Sequence, residues 1–368
     1  MPTLLSSVSF REIPNWENDD HLAAFESFLP SAKRMVETPY KTRGLGVDGL
    51  ALAHVSKAAV ELSKKKVTAS IARSFFETAF EPNGFKNETG FLTGYFEPVV
   101  SASKVCSSEY PEPLFMRPPD LLDVTDGNRP IEMDASFRYG RKTELGIEEY
   151  YNRQEISTGA LSGQGLELVY LKSKTDAFFI HVQGSAKLEL EDGSLMRVTY
   201  AAKSGHPYSS IAKVLCSQLN IPPAEMTADR LKDWMNANSE ELDELLFHNQ
   251  SFIFFEEVVG TEPSDGPIAA AKTPLISGRS MAVDRTLHTF GSPIWLMTKK
   301  PLPDDTEPLS RLMVAQDTGS AIVGPCRGDI FVGSGDAAGF IAGRVRHESE
   351  MIVFVPKPNF KLSDMRVL

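Results

Sequence analysis

R-L-M-V-A-Q-D-T-G-S-A-I-V-G-P-C-R-G-D-I-F-V, running from Arg311 to Val332, is the stretch whose reading decides the fold. An apolar run, Leu312 to Ala315, leads into Asp317, and Thr318, Gly319 and Ser320 make a turn. Ile322 and Val323 follow, then a Gly324-Pro325 break, with Asp329 just ahead of Ile330, Phe331 and Val332. Apolar, β-branched and aromatic runs bounded by Gly and Pro read as strand, tight turn, strand. Asp317 then stands at a strand end beside a bend that glycine permits, where a side chain projects into a cleft. The competing reading is an aspartate that bonds its own turn backbone, a common use of Asp in D-T-G.

Working outward, Asp19 and Asp20 precede a helix carrying Leu22, Ala23, Phe25, Phe28 and Leu29, which Pro30 is expected to stop. Gly44 to Gly49 spells G-x-G-x-x-G but follows Lys41-Thr42-Arg43 rather than a strand, so the dinucleotide reading fails on context. Two more helices are expected. One carries Leu52, Val55, Ala59 and Leu62; the other starts at Thr68, with Ile71, Phe75, Phe76 and Ala79 inward. Phe91 to Val100 is strand-like, and the Ser-, Pro- and Asp-rich stretch 101–130 reads as a passage between domains. From Glu167 come short β runs, E-L-V-Y-L, A-F-F-I-H-V-Q, K-L-E-L and L-M-R-V-T-Y, with Asp192-Gly193 as a hairpin turn between the last two. An acidic helical stretch, Thr227 to Leu246, precedes a further set of strands from Phe252 to Val355. The expected organisation is mainly β with peripheral helices. Residues 1–100 and 248–368 form one discontinuous unit, and 101–247 an inserted β-rich unit.

The chain has 368 residues, enough for a sizeable core, with 42% hydrophobic and 24% charged residues, the balance of a globular protein. A net charge of -11 argues against nucleic acid and anionic membrane surfaces as partners, since both reward clustered Lys and Arg. Cys106, Cys216 and Cys326 are far apart and odd in number, which indicates neither a disulfide framework nor a zinc site. The seven His residues show no metal-binding spacing, so no metal and no cofactor is expected. No run approaches the ~20 apolar residues of a membrane-spanning helix. The opening M-P-T-L-L-S-S-V-S-F-R-E has neither the basic nor the apolar region of a signal peptide.

Several motifs occur together and in order. They are L-T-G-Y-F-E-P at Leu92 to Pro98, F-F-I-H-V-Q-G-S at Phe178 to Ser185, G-H-P-Y at Gly205 to Tyr208, and N-Q-S-F-I-F-F at Asn249 to Phe255. G-R-S-x-A-V-D at Gly278 to Asp284, G-S-P-I-W-L at Gly291 to Leu296, V-A-Q-D-T-G-S-A-I at Val314 to Ile322 and R-G-D-I-F at Arg327 to Phe331 complete the set. This ordered set resembles the lytic murein transglycosylase A (MltA) family with its C-terminal three-aspartate (3D) domain. The resemblance implies a double-psi β-barrel built from both chain ends, a smaller inserted barrel-like domain, and a glycan lying in the groove between them. It implies an enzyme that cleaves the MurNAc–GlcNAc β-1,4 bond of peptidoglycan without water, so that the sugar's own C6 hydroxyl closes a 1,6-anhydroMurNAc end. Such enzymes are carbon–oxygen lyases of cell-wall turnover. The resemblance further implies peptidoglycan glycan strands as partner, cell-wall synthesis or remodelling proteins as further partners, a monomer, and a periplasmic, outer-membrane-associated location. Relatives are anchored through an N-terminal lipidated Cys, for which this sequence shows no counterpart.

Within that resemblance Asp317 takes the role of acid and then base, supported by Asp284 and Asp329. Proton donation near neutral pH requires a raised carboxyl pKa, which apolar neighbours or a like charge supply. Asp329 has a plainer reading as a turn cap or the partner of an arginine. Tyr95, Glu97, Gln183, Ser185 and Tyr208 are the expected glycan contacts, since sugar clefts need aromatic faces and fixed polar groups. Each has a scaffold reading beside it: Phe178, Ile180 and Val182 alternate as one face of a strand would. His206, ahead of Pro207, reads as a turn histidine. Ser210-Ile211-Ala212-Lys213 fits S-x-x-K but lacks the companion motifs of acyl transfer. Two rivals stand beside the leading function: a β-1,4-glycan hydrolase with Asp284 or Asp329 as second carboxylate, and a non-catalytic peptidoglycan-binding module.

Overall fold

The computed structural model describes residues 5–85, 88–260 and 265–365. The chain divides into two compact units. The first comprises Met1–Phe96, Ser264–Gly333 and Ala337–Leu368, and the second Glu97–Pro263 with Ser334–Asp336.

In the first unit, three helices start where short polar side chains take up orphan backbone N–H groups. Asp20 caps His21–Glu37, Asp48 caps Gly49–Leu62 and Thr68 caps Ala69–Ala79, each accepting from the first turn. Pro30 does not stop the first helix, which runs on to Glu37. The proline removes one N–H donor. The carbonyl it would have served belongs to Glu26, an exposed residue, so the missing bond does not fall on the buried face. On the buried face, the Gln316 amide donates to the Ser27 carbonyl at 3.2 Å and to Ser31 Oγ at 2.9 Å.

The sheet of this unit has eight strands, in the order Leu5–Ser7, Phe80–Phe85, Arg346–Pro356, Pro293–Pro301, Pro308–Asp317, Ser280–Val283, Arg327–Ser334 and Gly90–Glu97. The last of these pairs again with Arg346–Pro356, so the ladder returns on itself. Ile294, Trp295 and Leu296 are consecutive and all fully buried, so this strand is covered on both faces. Phe25, Phe28, Phe75 and Phe76 of the helices share one core with Trp295, Met313 and Phe354 of the sheet. Each such side chain contributes roughly 1.5–3 kcal/mol by leaving water.

The second unit holds a six-stranded sheet, in the order Ile253–Val258, Leu195–Lys203, Ser185–Leu190, Val99–Ser103, Glu167–Leu171 and Glu112–Phe115, beside a smaller three-stranded sheet. Three expectations change here. The Ile253–Val258 strand, assigned from sequence to the two-ended unit, pairs antiparallel with Leu195–Lys203, so the units part near residue 263 rather than 247. The stretch 101–130 is not a passage, because it supplies Glu112–Phe115 to the large sheet and Leu121–Asp123 to the small one. Phe178 to Val182 is not a strand but part of the helix Lys174–Gln183. Ser173 accepts from Asp176 N at its start, and Gly184 closes it at φ 77° with its N–H on Ile180 O. Caps at both ends outweigh a five-residue alternation, and Thr175, Phe178 and His181 form a buried stripe at three-residue spacing.

Candidate active site

Asp317 is the last residue of Pro308–Asp317. The neighbouring strand Ser280–Val283 sets Ala282 in register with Asp317 on its parallel side and with Asp329 on its antiparallel side. Residues in register share a face, so the two carboxylates stand on one surface two strand spacings, about 10 Å, apart. Ala282 between them belongs to an apolar cluster with Tyr95, Leu275, Ile322 and Phe331.

Two hydroxyls of one further strand reach these carboxylates. Tyr95 Oη donates to Asp317 Oδ2 at 2.8 Å, and Thr93 Oγ1 donates to Asp329 Oδ1 at 2.6 Å. Thr93 and Tyr95 are two residues apart on Gly90–Glu97 and therefore share a face. Behind Thr93, Arg327 Nη2 donates to the same Oγ1 at 2.7 Å. On its other side, Asp317 Oδ1 accepts backbone N–H groups from Ala270 at 3.2 Å and Thr318 at 2.9 Å.

Each aspartate keeps part of its surface open to solvent, yet the packing around it disfavours charge. Burial pushes the Asp317 carboxyl above its ordinary value, against the opposing pull of the Thr318, Tyr95 and Ala270 hydrogen bonds. Burial also lifts Asp329, to about 6. The Thr93 bond and the Arg327 charge oppose that rise, and the Asp317 charge adds to it. Burial raises the Tyr95 phenol as well, and both carboxylates push it higher. Proton-transfer chemistry needs a partly exposed carboxyl that stays protonated above its usual range.

Asp284 behaves differently. It is buried, and its oxygens accept from Thr286 N at 2.9 Å, Thr286 Oγ1 at 2.6 Å and Gly324 N at 2.8 Å. Burial alone would raise its pKa, but these hydrogen bonds outweigh it and hold the carboxyl below its ordinary value. Asp284 thus braces the loop that follows Asp317. Asp284→Ala should cost about 1–3 kcal/mol, by leaving buried donors unpaired. Because its folded pKa is depressed, its contribution is complete above the unfolded value near 3.9 and disappears as pH falls through the folded one. Urea unfolding of the variant and wild type at neutral and strongly acidic pH checks this, since the difference should close in acid.

The remaining expected residues lie in the second unit. Glu97 is fully buried, in an ion pair with Arg197 Nε at 2.7 Å, and accepts from Ser334 Oγ at 2.6 Å. A side chain so enclosed is scaffold. Gln183 ends the Lys174–Gln183 helix, Ser185 is buried at the start of its strand, and Tyr208 is exposed. His206 is buried, with Nε2 2.6 Å from Tyr150 O. Sequence reading missed Thr93, although its place two residues before Tyr95 puts it on the same strand face. It also missed Gln316, whose buried amide ties the strand end before Asp317 to the Pro30 turn of the helix and to Ser280 Oγ. A cavity of about 870 Å³ in the first unit, lined by Phe10, Trp16, Arg73 and Lys357 among others, shares no residue with the aspartate site.

A sheet that presents two carboxyls of raised pKa on one face, each held by a hydroxyl, is an arrangement suited to an enzyme of acid–base chemistry. Comparison with known proteins makes it particular. Residues 91–256 match the MltA-specific insert domain and residues 279–355 the 3D domain. The membrane-bound lytic murein transglycosylase A of Escherichia coli (strain K12) is 32% identical over 295 residues, covering 78% of this chain and 71% of that protein. The crystal structure of a membrane-bound lytic murein transglycosylase from Agrobacterium tumefaciens superposes with a TM-score of 0.89 at 40% identity, covering 96% of this chain and 97% of the other. That of E. coli MltA with bound chitohexaose superposes with a TM-score of 0.69 at 26% identity, over 97% and 96%. The chain belongs to the membrane-bound lytic murein transglycosylase A family.

Proposed function

We propose that this protein is a peptidoglycan lytic transglycosylase in which Asp317 serves as acid and then as base. The observation that carries the reading is Asp317 itself, a half-buried residue whose carboxyl burial raises in pKa and whose Oδ2 the Tyr95 hydroxyl holds. In the first step its proton passes to the glycosidic oxygen of the MurNAc–GlcNAc bond, the C1–O bond breaks, and an oxocarbenium-like centre forms. In the second, the C6 hydroxyl oxygen of the same MurNAc bonds to C1 and its proton passes to Asp317. No water is consumed, and the enzyme returns to its starting state.

Asp329, whose carboxyl the Asp317 charge helps to raise, stays a supporting group on the same face, and Asp284 braces the loop. The first unit carries the chemistry as a double-psi β-barrel. Gln183, Ser185 and Tyr208 offer the second unit's polar and aromatic contacts to the glycan, with Glu97 reassigned to scaffold. Support for a β-1,4-linked glycan as ligand comes from the chitohexaose bound to the E. coli relative. The family likeness supports action on glycan strands, and the same reading takes the protein to work as a monomer in the periplasm. No helix among the described residues is long and apolar enough to cross a membrane.

The rival hydrolase draws on Asp329, a second carboxyl on the same face with a pKa of about 6. Product mass separates the two readings. Digestion of purified sacculi should release muropeptides with 1,6-anhydro ends, one water lighter than reducing ends. Reducing ends alone would establish hydrolysis and end the proposal.

A further inference from the structure

The two oxygens of Asp317 are not equivalent. Oδ1 already accepts two backbone N–H groups, from Ala270 and Thr318. A carboxylate oxygen has two in-plane lone pairs, and both are taken, so a proton on Oδ1 would displace a backbone donor. The transferable proton therefore resides on Oδ2, and Oδ2 is the atom to which the Tyr95 hydroxyl is bonded at 2.8 Å. Tyr95 is itself held. Its ring packs on Phe331 with centroids 5.5 Å apart, and its side chain is nearly enclosed. One strand position away on the same face, Thr93 holds Asp329 with its hydrogen already committed, because its oxygen accepts from Arg327, which can only donate.

We propose that Tyr95, expected from sequence to contact the glycan, is a positioning residue that fixes the proton-bearing oxygen of Asp317 and stabilises the carboxylate it becomes. This rests on Asp317 as acid and base. When the proton leaves Oδ2 for the glycosidic oxygen, negative charge develops on the atom that Tyr95 bonds. A hydrogen bond to an ionised acceptor is about twice as strong as one between neutral groups. The bond is therefore stronger at the transition state than before it, which is the condition for raising turnover rather than affinity. The charged groups around this pair are Asp329 on the adjoining strand and Arg327 beyond it. The Ala270 side supplies a backbone N–H.

The test is Tyr95→Phe, which keeps the ring and its packing and removes the hydroxyl alone. Turnover on sacculi should fall about tenfold to a hundredfold, the range for a hydrogen bond to a charged group, with KM unchanged and anhydro ends still formed. Because the hydroxyl favours the carboxylate, its loss raises the Asp317 pKa further. The acid form then persists to higher pH, and the alkaline limb of the kcat/KM profile should move upward. Thr93→Val, which touches Asp329 instead, should leave KM at the wild-type value and keep more turnover than Tyr95→Phe. A higher KM with unchanged kcat would return Tyr95 to glycan binding, and a slower enzyme with an unmoved pH profile would make it merely structural. Either result overturns the inference while leaving anhydro products, and with them the parent reading, intact. Loss of anhydro ends in the wild type would instead remove the parent reading.

Discussion

Asp317→Asn should digest murein sacculi about 10²–10⁴-fold more slowly than the wild type, the span general acid–base catalysis supplies, while folding normally and binding glycan with unchanged affinity. The side chain is isosteric. Its carbonyl oxygen can still accept from Ala270 N and Thr318 N, and its amide nitrogen can donate to the Tyr95 oxygen in place of the present bond. Only the exchangeable proton is lost. The variant should also be more stable than the wild type at neutral pH. A carboxyl whose folded pKa lies above its unfolded value destabilises the native state once pH exceeds the unfolded value, and the amide removes that cost. Gain of stability with loss of function is the expected signature of a residue held in a strained electrostatic environment for catalysis. Sacculus turbidity, glycan titration and urea unfolding on one preparation measure all three. Near-normal digestion would remove Asp317 from the chemistry.

Glu97→Ala should act on stability rather than on substrate affinity. Glu97 is fully enclosed and Arg197 is 5% exposed, so truncation breaks a buried ion pair from one side and removes the carboxylate to which the guanidinium donates twice. Breaking a buried pair from one side costs about 3–5 kcal/mol. Ser334 also loses its acceptor. Replacing both partners by apolar residues, Glu97→Met with Arg197→Leu, should recover most of that loss, because no charge remains stranded. Urea unfolding of the single and double variants decides between the roles. A single variant with wild-type stability but weakened glycan binding would restore Glu97 as a ligand.

The contrast between Tyr95 and Glu97 shows how far a motif can be read. Both come from L-T-G-Y-F-E-P, two residues apart and polar, and both were expected to meet the glycan. Local sequence does not say that the strand they end passes from one unit to the other, nor that Arg197, a hundred positions on, neutralises the second. Thr93 in the same motif looked unremarkable because a hydroxyl gains meaning only through the carboxylate it faces. The Lys174–Gln183 helix was misread for a related reason. Its apolar residues alternate over five positions, and only the Ser173 and Gly184 caps separate that pattern from a strand. The Ile253–Val258 strand was rightly seen as a strand and wrongly assigned, since alternation sets a face but names no partner.

By itself the sequence determined the family, the three aspartates, the helical scaffold and a sheet punctuated at Asp317, because these rest on local spacing and on ordered motifs. Only the tertiary structure gave the aspartates different surroundings, with Asp284 held low by donors and Asp317 and Asp329 raised by burial. The difference lies in partners: Gly324 from a distant loop joins the neighbouring Thr286 in lowering Asp284, while burial beside Tyr95 and Ala282, both remote in sequence, raises Asp317. A carboxyl's acidity is a property of its surroundings, and those surroundings exist only once the strands have paired.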